Sequence, residues 1–193
     1  MSRRLLEAWY PTPVLRSVRH QVNNLLAPVT VAAEILDDGG DVSGMLRRST
    51  DRIRRVNQRL ALLIRPGEPV LDEVALSDLG LPSPGGLPAR AVRLDLVRFR
   101  ERVITELLAN DADLGVVIER ADLGSGACDV LILRSSATTG ELTEAERENL
   151  PVPLTMRNGG LGLAIACLET HLQGGRVALG SDPLLVEFLF PLD

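Results

Sequence analysis

The sequence predicts an α+β protein: an antiparallel helical hairpin forming a dimeric four-helix bundle, followed by an α/β sandwich. Three observations predict it. Two stretches of apolar residues at alternating steps of three and four flank a short Asp/Gly breaker, a proline-rich stop follows the second, and strand-like and helical runs alternate over the remainder.

The first stretch places Leu15, Val18, Val22, Leu25, Val29, Ala32 and Leu36 on one seam, and Asp37-Asp38-Gly39-Gly40-Asp41 interrupts it. The second runs Leu46, Ser49, Ile53, Val56, Leu60 and Leu63, with Ser49 its one polar member. Leu26, Ile35, Leu62 and Ile64 lie beside the seams, so each helix carries an apolar stripe wider than a two-helix contact covers. Pairing of two hairpins would bury that excess, and a homodimer is expected. Arg65-Pro66-Gly67-Glu68-Pro69 ends the second helix, because proline lacks an amide donor and restrains the residue before it. The expected division is therefore a hairpin over 1–66 and a second domain over 67–193.

Beyond a short apolar segment from Val74 to Leu79 and a Pro/Gly-rich loop from Leu81 to Pro88, Leu96 to Ala112 has helical spacing. Val116-Val117-Ile118 and Val130-Leu131-Ile132-Leu133 are strand-like, Leu161 to Leu172 is helical, and Val177–Leu179 and Leu184–Phe190 form a closing pair of strands. A small acidic helix is expected from Glu141 to Asn149.

Composition narrows the function. A chain of 193 residues with 45% hydrophobic side chains has ample material for a core, and 3% aromatics means that Leu, Val, Ile and Ala must build it. A net charge of -5 argues against a general nucleic-acid binder, whose phosphate contacts need a basic excess. Cys128 and Cys167 are widely separated, which favours reduced thiols over a disulfide or a zinc site. No apolar run nears the roughly 20 residues that span a bilayer, and no signal peptide opens the chain. A cytoplasmic location, without membrane contact and with no sensor region before residue 14, is expected.

His20 is the candidate reactive group. A helix turns about 100° per residue, so position 20 falls opposite Val18 of the seam, on the solvent side. An imidazole there is nucleophilic near neutral pH and becomes a good leaving group once phosphorylated. The string His20-Gln21-Val22-Asn23-Asn24-Leu25-Leu26-Ala27-Pro28-Val29 resembles the phosphoacceptor box of two-component sensor histidine kinases. A mid-helix proline, Pro28, costs about 3 kcal/mol and belongs to the same pattern. The resemblance implies that His20 carries phosphoryl groups, and that Asn24 stands where the family orients a water for dephosphorylation. Gln21 replaces the family's carboxylate, and an amide cannot accept a proton, so transfer from ATP is not expected.

The second half resembles the ATPase domain of the same family in part. Glu106 and Asn110 stand where the family has its base and magnesium ligand, four residues apart on one helix face. Asp95 lies where an aspartate usually precedes that helix. Asn158-Gly159-Gly160-Leu161-Gly162 resembles the glycine-rich phosphate turn, with Gly160 and Gly162 as cradle residues, and His171 is read as structural. The family's Asp-x-Gly-x-Gly motif is missing, since Leu133 runs into Arg134-Ser135-Ser136-Ala137-Thr138-Thr139-Gly140. Losing that base-specific hydrogen bond removes most nucleotide discrimination, so the domain is expected to be degenerate, with ATP and magnesium binding lost and no cofactor.

Response-regulator receiver domains are the expected partners. Arg16, Asn23 and Ala27 surround His20, and Arg48, Arg52 and Arg55, within the run Arg47 to Arg59, give a basic face for an acidic receiver. Together these expectations describe a phosphorelay histidine phosphotransferase. The alternatives are an atypical ATP-dependent kinase and a silent pseudokinase that sequesters a partner.

Overall fold

The computed structural model describes residues 4–6, 11–39, 41–81, 86–110, 114–124, 126–136, 161–179 and 185–193. Its first element is a short strand, β1 (Arg4–Leu6), followed by two long helices, α1 (Pro11–Asp37) and α2 (Ser43–Ile64). Pro28 lies inside α1. The helices pack side by side across the connection 38–42, where Gly39 takes φ +77, a conformation that glycine adopts without cost. At the far end of α2, the Arg65 amide still donates to the Ala61 carbonyl, and Pro66 then stops the ladder.

The remaining elements are β2 (Asp72–Ala75), a 3-10 turn (Leu76–Leu79), β3 (Ala91–Leu94), and a helical stretch made of α3 (Leu96–Arg98), a π-helical segment (Phe99–Ile104) and α4 (Thr105–Asn110). Then come β4 (Gly115–Asp122), β5 (Ala127–Ser136), α5 (Leu161–Leu172), β6 (Arg176–Leu179) and β7 (Leu185–Pro191). Five strands form one sheet in the order β1-β6-β7-β5-β4, and β2 and β3 form a second; every pairing is antiparallel. A bridge between Val92 and Leu192 ties β3 to the chain beyond β7. The short β1, paired with Leu179, Ala178 and Val177, has no counterpart in the sequence expectations.

Alternation along β5 sets the layers. Leu131 and Leu133 enter the main core with Phe99, Val103, Leu107, Leu163, Phe188 and Phe190, whereas Val130 and Ile132 enter a smaller cluster with Ala178 and Leu189 on the opposite face. Phe99 and Phe190 meet edge to face, with ring centroids 5.3 Å apart. Gly175, between α5 and β6, is required by crowding: a Cβ there would lie 2.6 Å from the Leu189 carbonyl oxygen and 2.8 Å from Thr170 Cγ2.

These features correct the expected fold class. The chain is built largely around two antiparallel sheets, and its long helices do not form a four-helix bundle set apart from an ATPase-type α/β sandwich. The reason lies in α5, where every residue from Leu161 to Cys167 is buried. A helix buried on all sides needs cover on the face turned from the sheet, and α2, α1, α4 and the π-helical segment supply it. Part of the α2 surface assigned to a partner's hairpin is thus spent within the chain. The seam is correspondingly uneven: Ala32 and Ser49 are buried, while Val22, Leu36 and Leu46 are exposed. The acidic helix expected at Glu141 to Asn149 lies outside the described residues.

Candidate functional site

The backbone of His20 lies on α1, nine residues after its first, Pro11. The side chains of Arg16, His20 and Gln21 lie outside the described residues. Asn23, Asn24 and Ala27 are exposed on the next turns of the helix.

The structure gathers several predicted residues into one place. Pro28 of α1 faces Met45, Arg48, Ser49, Asp51, Arg52 and Arg55 of α2 around a cleft of about 450 Å³. Arg48, Arg52 and Arg55 recur at helical spacing and so share one face of α2. Ser49, the polar residue of the second seam, is buried to 5% exposure on the wall of the same cleft. Pro28 and Arg52 lie equally far from the centre of the connection 38–42, as two helices running back along each other with equal rise require. By the same register, His20 stands at the level of Leu60, beside Arg59. Eight residues separate His20 from Pro28, a rise of about 12 Å along the helix.

Arg59 leads to the residues that stand at the positions of the family's nucleotide site, where binding is expected to be lost. Its Nη2 donates to Glu106 Oε2 at 2.8 Å, joining α2 to α4. Glu106 is therefore the buried partner of a cation, and its carboxylate is engaged in holding the two parts of the chain together. Asn110 is the last residue of α4, and its side chain lies outside the described residues. Gly160 also lies outside them, and Gly162 is buried in the first turn of α5. The segment 137–160, where the adenine-binding motif would fall, lies outside the description. Asp95, by contrast, caps α3: its Oδ1 accepts from the Arg98 amide at 3.1 Å and its Oδ2 from the Val70 amide at 3.1 Å. It serves the backbone at the start of the helix.

His171 is half-buried near the end of α5. Burial holds its imidazole below the usual histidine range, the nearby positive charge of Arg176 acts in the same direction, and a hydrogen bond with the Gly175 backbone opposes them. Burial also pushes the Cys167 thiol up, which leaves it unreactive.

Sequence reasoning missed the most buried ionic group among the described residues. Glu169, 1% exposed, accepts from Arg98 through both carboxylate oxygens, from Nε at 2.9 Å and Nη2 at 2.8 Å, and from Arg102 Nη1 at 2.8 Å. The same two arginines donate to the Gly67 and Pro66 carbonyls at 3.1 Å and 3.2 Å. The exit from α2 is thereby fixed to α5. A third arginine, Arg134, bridges Glu119 and Glu187 across β4, β5 and β7. The signal for Ser49 was present as a polar residue in an apolar seam; Glu169 gave none, since a lone glutamate is usually exposed.

Among the described residues no group of histidine, cysteine, aspartate and glutamate could hold a metal ion, and no helix is long and apolar enough to cross a membrane. Comparison with protein-family models and with curated proteins gives no match.

Proposed function

We propose that the chain is a cytoplasmic phosphorelay protein in which His20 accepts phosphoryl groups from, and returns them to, aspartates of response-regulator receiver domains. The observation that carries this reading is the joining, in one helical pair, of the string His20 to Pro28 with an arginine-lined cleft at Pro28. The string resembles a phosphoacceptor box, and Arg48, Arg52 and Arg55 give an acidic receiver a positive surface about two helical turns from the histidine. Gln21 and the engagement of Glu106 by Arg59 both favour a protein donor over ATP. Asn24, exposed one turn after His20, supports a role in positioning water for hydrolysis of the partner's acyl phosphate.

Chemically, the imidazole nitrogen attacks the phosphorus of an aspartyl phosphate, the N–P bond forms as the acyl O–P bond breaks, and the aspartate leaves as its carboxylate. The reverse step regenerates free imidazole. The decisive experiment is incubation with receiver domains carrying radiolabelled phosphate. Acid-labile label should reach the wild-type chain and not His20→Ala, which keeps its far-ultraviolet circular dichroism. Label taken from ATP alone would move the reading to a kinase, and no label from either donor would move it to a silent partner-binding protein.

A further inference from the structure

The cleft at Pro28 has properties that receiver docking does not require. It is concave, and its volume of about 450 Å³ falls in the range of small-molecule sites, about 300–1,000 Å³. Arg54 faces Asp51 at 3.8 Å and Arg59 holds Glu106, but among the described residues Arg48, Arg52 and Arg55 have no carboxylate partner. Three guanidinium groups on successive turns repel one another unless an anion lies between them. Ser49 adds a hydroxyl on the cleft wall that is 5% exposed and makes no hydrogen bond to another described residue. That hydroxyl can donate to an acceptor entering the cleft. Among the described lining residues Asp51 is the one carboxylate, set against three arginines.

We propose that this cleft binds a phosphorylated small molecule, with the phosphate held by Arg48, Arg52 and Arg55 and by the Ser49 hydroxyl, and the organic part resting on Pro28 and Met45. Guanidinium forks match phosphate oxygens in pairs, whereas the apolar wall has no role for a bare inorganic ion. A phosphomonoester with a flat apolar group satisfies both halves of the cleft. Its binding stands apart from the phosphoacceptor role of His20, because the test uses no phosphodonor and reads no transfer.

The test is calorimetric titration of the full chain with phenyl phosphate, followed by amide and arginine side-chain resonances. Saturable binding is expected, with shifts at the Arg48, Arg52 and Arg55 side chains. Each of Arg52→Gln and Arg48→Gln should weaken it about tenfold, the loss expected for one charge-assisted pair. Ser49→Ala should weaken it about threefold. These arginines are exposed, so their removal leaves the fold in place. The proposal is overturned if no saturation is reached by about 10 mM ligand, a limit near the weakest specific affinities. It is equally overturned if affinity is unchanged in the arginine variants, or if only a whole receiver protein binds in an arginine-dependent way, which would make the cleft a protein-docking surface.

Discussion

Arg98 grips Glu169 through two hydrogen bonds, Nε to Oε2 at 2.9 Å and Nη2 to Oε1 at 2.8 Å, while its third nitrogen holds the Gly67 carbonyl at 3.1 Å. One guanidinium thus ties the exit of α2 to α5, and Arg102 repeats the arrangement on Pro66.

Removing the shared carboxylate should therefore be costly. Glu169→Ala leaves two arginines facing a buried gap, and breaking a buried pair from one side destabilises by about 3–5 kcal/mol. Urea unfolding should show this loss, with part of it recovered when Arg98 is replaced by Met in the same chain. A loss below about 1 kcal/mol would mean that the cluster is wetter than its geometry implies.

The exposed apolar residues of α1 bear on association. Val22, Leu26 and Leu36 are 37%, 53% and 51% exposed, at positions that share one stripe. A homodimer through that stripe is the expected state, measured by light scattering after size exclusion. Leu26→Glu should shift it to monomer, because burying an unpaired carboxylate costs several kcal/mol. A wild-type chain that stays monomeric at high concentration contradicts the expectation.

His171 gives a pH dependence of definite sign. Burial lowers its folded-state pKa below the ordinary value of 6.5, so the unfolded chain binds the proton more readily. Stability is therefore complete above pH 6.5 and falls as pH drops from 6.5 towards the lower folded value. Thermal unfolding of His171→Gln should show a shallower decline than wild type over that window and no difference in slope above it. Parallel curves would assign the acid sensitivity to other groups.

The two long helices and the breaker between them are legible in the sequence because helical periodicity and proline stops are local signals. The run Val130 to Leu133 falls within β5, and the run expected from Leu184 to Phe190 matches β7 from Leu185 on, Leu184 lying outside the described residues, for a related reason: buried central strands are rich in apolar residues. The three-residue β1 was not legible, since Arg4–Leu6 has no alternation and gains its partner from β6 far along the chain.

At the candidate site, the residue types on the α2 arginine face could be read from spacing, but their convergence with Pro28 and Ser49 into one cleft could not. Glu106 shows the limit most clearly. Its spacing to Asn110 fits a catalytic pair, yet contact with Arg59 makes it a tie between α2 and α4.

By itself, then, the sequence determined where the two long helices lie and which side chains carry charge, because those properties depend on neighbours within a few residues. Only the tertiary structure decided that α5 would be covered by the long helices, that Arg98 and Arg102 would share Glu169, and that three arginines would line a cleft. Each of these depends on burial between segments distant in the chain, where desolvation makes an ion pair or an uncovered apolar face count for far more than the same groups would in water.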